Sequence, residues 1–232
     1  MNQFRFEADI AFAEGVPTDV VSQRVYGRVR VSAQWPNPLA LPVTRVALEV
    51  RGDVGPRDAA PYVELFFHDV FLLLNLASPG SFGGTISITG DALRVRELDF
   101  DARLFTYAAP LETLPVTSVI AWYDTLKLGV QQVATSGVAI ALVQLLQLAR
   151  GPEREEDSII RLAIAAESLG VNVSARLFEL RDHIARGRGP IIHPMHDDAL
   201  DPRVEDATRE WLEVADAAAH VVIRALQQRV KN

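Results

Sequence analysis

The stretch SARLFELRDHIARGRGPIIHPMH, residues 174–196, sets the frame for the chain. Leu177, Leu180 and Ile184 recur at helical spacing and form one apolar stripe. Ser174 is a natural cap for the start of that helix. Gly187 breaks it, and Gly189, Pro190 and Pro194 make the rest a loop that carries His193 and His196. Arg176, Arg181, Arg186 and Arg188 fall within thirteen residues of one another. Arg181 lies four residues after Leu177 and three before Ile184, so it sits in or beside the stripe. A charge placed there needs a partner, an interface or a cleft. Asp182 can reach Arg186 across one turn, and Glu179 can reach His183.

The neighbouring segments are also helical. Trp122, Leu126 and Val130 share a face, and a second pattern runs over 134–149, either continuous with the first or broken at Gly129 or Gly137. Ser158–Leu169 is the next helix, and Gly170 ends it. After Asp201–Pro202 a long stripe of Val204, Ala207, Trp211, Val214, Ala218, Val222 and Leu226 marks the last helix. Residues 113–232 therefore read as an antiparallel α-helical bundle.

Residues 1–112 have a different period. Phe4, Phe6, Ala8 and Ile10 alternate with polar residues, as in a half-buried strand. Tyr26–Gln34 alternates as a second strand, with its more apolar face (Val25, Gly27, Val29, Val31, Ala33) inward. WPNPLALP (35–42) is a loop or an edge. Val43–Arg51 is a strand with Val46, Leu48 and Val50 inward, and Gly52–Ala60 is a turn-rich connection. Pro61–Ala77 has the length of a helix and also the composition of a buried strand, and its length favours a helix packed on the sheet. Thr85–Thr89, Leu93–Leu98 and Leu104–Tyr107 complete a β-rich domain, a sandwich or open barrel. The fold class is α+β, with a linker at 111–116.

Composition narrows the function classes. Apolar residues make up 49% of the 232, enough for a real core. The net charge of −7 argues against a surface that coats nucleic acid broadly, while leaving room for a small basic site. There is no cysteine, which removes disulfides, thiolate zinc sites and cysteine nucleophiles and suits a cytoplasmic protein. The N-terminus is not a signal peptide. Val70–Ala77 and Gly137–Ala149 are too short to span a bilayer, so no membrane partner is expected. SPGSFGG (78–84) has no lysine after its glycines and reads as a turn rather than a phosphate loop. His68 and Asp69 are adjacent, so they point in different directions.

The order of Ala165, Ala166, Glu167, Ser168 and Leu169, then LFELRDHIARG, a loop and a long final helix resembles the HEPN superfamily, and within it the Apea-like C-terminal domains. The resemblance covers the chain from about residue 115 onward. Many such domains are metal-independent RNA endonucleases, toxins or defence effectors that act as dimers. It implies a homodimer through the helical domain, with Arg181 and His193 catalytic, Asp182 orienting, and Arg176, Arg186 and Arg188 on the RNA backbone. It implies no metal and no cofactor. The chain departs from the family pattern at Arg186, which stands where the family histidine falls. Arginine stays protonated and cannot act as a base. His193 follows Arg188 by five residues and Arg186 by seven, but on a loop.

Three readings follow. The leading one is a binding or regulatory module that dimerises or holds an RNA or protein partner. The second is the active endonuclease. The third is a small-ligand or nucleotide pocket between the two domains. The arginines serve phosphate contacts and pairing with the acidic run at 197–216 equally well. His193, His196, Asp197 and Asp198 are metal-ligand types, but a loop does not bring three or four of them together, so no metal is expected.

Overall fold

The computed structural model describes residues 2–11, 21–36, 43–90, 93–101, 105, 111–128, 133–150, 155–186 and 202–232. The chain forms two compact units. The first comprises Met1–Ala102 with Glu112–Tyr123, and the second Arg103–Leu111 with Asp124–Asn232.

The first unit is built on β1 (Asn2–Ala11), β2 (Gln23–Tyr26), β3 (Val29–Gln34), β4 (Val43–Gly52), β5 (Gly84–Gly90) and β6 (Leu93–Phe100). They form one antiparallel sheet in the order β2-β3-β4-β1-β5-β6. Alternation fixes its faces. Phe6, Ala8 and Ile10 of β1 are buried, as are Val46, Leu48 and Val50 of β4, whereas Gln3, Arg5 and Glu7 are exposed. The second layer is a helix, α1 (Pro56–Ala77), rather than a second sheet, so the β-rich unit is an open sheet with one covered face. Val70–Ala77 of α1 is buried without interruption. A helix apolar all round belongs in a core. Phe66, Phe67 and Phe71 are fully buried, and Phe71 stacks on Phe100 of β6 at 4.7 Å between ring centres. Each such side chain stabilises the fold by roughly 1.5–3 kcal/mol.

Three expectations need correction here. The helix begins at Pro56, inside the segment read as a turn-rich connection. Pro56 occupies the first helical turn, where its missing N–H is harmless, and Pro61 sits inside the helix instead of starting it. At 22 residues α1 is therefore long and apolar enough to cross a bilayer by composition, but 72% of its most apolar window is buried within the fold, as in a core helix. Second, Tyr26–Gln34 is not one strand. Gly27, at φ +62°, and Arg28 form a two-residue turn between β2 and β3, which pair Tyr26 with Val29. β2 consequently faces inward with Arg24 and Tyr26, and Val25 is 52% exposed. Third, of residues 104–107 only Phe105 is described, and it lies in no strand.

The second unit holds the end of α2 (Val116–Leu128) and α3 (Val133–Ala149), α4 (Glu155–Leu169), α5 (Ala175–Ala185) and α6 (Pro202–Lys231). α4 is its centre and packs on α3, α5 and α6. Ile159, Leu162, Ala163, Ala165, Ala166 and Leu169 are its buried face. Gly170, at φ +65°, closes α4: its N–H bonds to Glu167 O, and Val171 N–H to Ala166 O. Ser174 caps α5 by accepting from Arg176 N at 3.3 Å. Trp211, Ala218, Val222 and Leu226 of α6 are buried as their spacing predicts; Val204 and Ala207 lie outside the residues whose burial is described.

Gly137 does not break α3. A Cβ there would come within 2.2 Å of the Ser168 carbonyl oxygen, so glycine is what lets α3 approach the end of α4. On helix propensity alone, Gly137→Ala would stabilise by about 1 kcal/mol. The clash reverses the sign. We expect a loss of about 1–3 kcal/mol in urea unfolding, and a more stable variant would show that the approach is not tight.

Candidate functional site

Arg181 stands at the edge of the buried stripe of α5. Leu177 and Leu180 are buried, Ile184 is half-buried, and the Arg181 side chain is 29% exposed. Its Nη1 donates to Glu167 Oε1 on α4 at 2.6 Å. Its Nη2 and Nε reach Asp182 Oδ1 at 3.2 and 3.3 Å. The guanidinium also lies 5.2 Å above the Phe178 ring. The Glu167 hydrogen bond leads in holding Arg181 even more firmly protonated than usual, against a smaller opposing effect of burial. Among the described residues its partners are two carboxylates and a ring, and none is a histidine.

The other arginines divide. Arg176 Nε donates to Glu210 of α6 at 2.8 Å, and its Nη1 to Glu179 at 3.1 Å. These bonds, Glu210 first, raise its pKa. Glu210 belongs to the acidic run at 197–216, so for Arg176 pairing with that run is realised. Arg186 is exposed and ends α5, its backbone N–H bonding to Asp182 O. Two expected side-chain pairs are replaced. Glu179 turns back one turn to Arg176 rather than on to His183, and Asp182 takes its neighbour Arg181 rather than Arg186. Arg188, His193, His196, Asp197 and Asp198 lie outside the described residues. No group of three or more His, Asp or Glu suited to a metal ion occurs among the described ones.

The first unit holds a cluster that the sequence did not single out. Asp69 on α1 is only 5% exposed. Tyr26 Oη donates to its Oδ2 at 2.9 Å and Tyr123 Oη of α2 to its Oδ1 at 2.8 Å. Arg24, 6% exposed, donates through Nε to Oδ2 at 3.3 Å and lies 5.5 Å from the centre of the Tyr123 ring. Burial first, then the Asp69 charge, pushes the Tyr26 phenol far above the ordinary tyrosine range, so it remains a donor. His68, one residue earlier, faces elsewhere and meets Phe100 edge-on at 5.6 Å. The glycine-rich turn is likewise engaged. Asn75 Oδ1 accepts from Gly80 N at 3.0 Å and Phe82 N at 3.4 Å, the kind of N–H groups a phosphate would use.

No family model, no curated protein and no solved structure matches the chain.

A buried ion pair that loses one member leaves the other charge stranded. Asp69→Ala strands Arg24 and should destabilise by about 3–5 kcal/mol. Tyr123→Phe removes one hydrogen bond to a charged group and should lose about 1.5–3 kcal/mol. Urea unfolding of both variants checks this; similar small losses would mean that the cluster is solvated.

Proposed function

We propose that the chain is a binding or regulatory module that works as a homodimer or holds a partner, and that it does not cleave RNA. The observation that supports this is the state of Arg181. Its guanidinium is engaged by Glu167 and Asp182 on its own chain. A phosphate would have to displace carboxylates already in place. Arg186, at the position where a histidine would serve as base, cannot accept a proton. α3 supports the homodimer. It carries no charged residue from Val133 to Ala149, and Ile140 and Val143 are 43% and 49% exposed.

Labelled single-stranded RNA incubated with the protein and a chelator tests the reading. Wild type should leave the RNA intact. Arg181→Ala should fold, with a loss of at most about 1 kcal/mol because its ion pairs are open to solvent. His193→Ala should melt like wild type. Cleavage by wild type that disappears in both variants would establish the endonuclease instead. Sedimentation equilibrium should show a dimer at micromolar concentration, and a monomer there removes the self-association part.

A further inference from the structure

We propose that the uncovered face of the sheet is an anion site, built to take a phosphate monoester between Arg30 and Arg51. The inference rests on the reading of the chain as a binding module and names a ligand class for it.

The strand register carries the argument. Residues directly opposite on neighbouring antiparallel strands bring their side chains together on one face. On the outward face the opposed charged pairs of β1 and β4 are complementary. Arg45 opposes Asp9 and donates to it at 2.7 Å, and Arg5 opposes Glu49. Arg30 is the exception, because it opposes Arg51. Arg51 is bound to Glu49 two residues away on its own strand. Arg30 is exposed and makes no ion pair among the described residues. Like charges facing each other across a sheet are destabilising. This pair is therefore a local excess of positive charge in a protein whose net charge is −7.

The excess lies in a concavity. Three arginines (Arg5, Arg30 and Arg51), two glutamates (Glu7 and Glu49) and the polar Gln23 and Ser32 help to line a hollow of about 600 Å³ on this face, a size that suits a small molecule. Gln23 opposes Ser32, and Ser32 opposes Glu49, so an amide and a hydroxyl adjoin the arginines. Two guanidinium forks and a hydroxyl match the several oxygens and the double charge of a phosphate monoester. A phosphate must draw the Arg51 fork away from Glu49, and its double charge gives it more to offer there than a ligand carboxylate has.

The test is a titration with inorganic phosphate, followed by calorimetry and by melting temperature. Wild type should bind saturably and gain stability. Arg30→Gln and Arg51→Gln should each weaken binding at least about tenfold. Arg94→Gln, on β6 outside the hollow, should bind like wild type. Arg30→Glu places an acid opposite Arg51; it should abolish binding while raising the melting temperature of the free protein by about 1–4 °C. Absence of saturable binding, or binding unchanged in Arg30→Gln, overturns the site. A fall in stability for Arg30→Glu would make Arg30 a structural residue and also overturns it. Succinate binding as tightly as phosphate, with the same loss in Arg30→Gln, overturns the phosphate class. RNA cleavage by the wild type defeats the binding-module reading without touching these titrations, so the two failures are distinguishable.

Discussion

A carboxylate taken out of water must be answered by donors, and Arg24, Tyr26 and Tyr123 answer Asp69. Two come from β2, an edge strand of four residues, and one from α2. α2 buries Val119, whereas β2 gives the core little that is apolar. β2 turns polar side chains inward, and its Val25 faces out. Asp69 gives both elements a defined place on α1. Because the ion pair is buried, its value lies in fixing that arrangement more than in net energy; two well-packed apolar residues could stabilise as much. The buried leucines and phenylalanines of α1 contribute apolar burial, and Asp69 gives β2 and α2 specific partners on the same helix.

The helical unit solves its packing by other means. α4 has alanines at 163, 165 and 166, all buried, and its neighbours can approach its backbone closely. Gly137 carries this to its limit against Ser168. Ion pairs then set the outer helices. Arg181 ties α5 to α4, and Arg176 ties α5 to α6. All four side chains are between 29% and 53% exposed, so the pairs are screened and each adds little to stability. They orient α5 more than they hold it.

What the sequence made legible follows from this division. β1, β4 and α6 could be read because each has one apolar face, and period alone identifies it. The order of a β-rich part followed by helices was legible for the same reason. β2 and β3 read as one strand in the sequence because the alternation runs unbroken through Gly27 and Arg28, and because the inward face of β2 looks like a solvent face. The Asp69 cluster has no local signature: its tyrosines lie 43 and 54 residues away in the chain. The spacing marks Arg181 as a charge in need of a partner, but Glu167 is 14 residues distant on another helix. Spacing within α5 could not choose between it and a symmetry-related chain.

The same reasoning orders the arginines by what they can do. Arg24 is buried and paired, so it is structural. Arg176 and Arg181 are part-exposed and paired, so an incoming anion gains only what it offers beyond the carboxylates it displaces. Arg30 is exposed and faces another cation, so an anion arriving there relieves a repulsion and displaces no carboxylate from it. Affinity is a difference between bound and free states. On the sheet face the free state is strained at Arg30, which faces a like charge, and already satisfied at Arg51, which holds Glu49. Arg30 therefore offers an anion what Arg176 and Arg181 do not, a guanidinium reached without displacing a carboxylate from it.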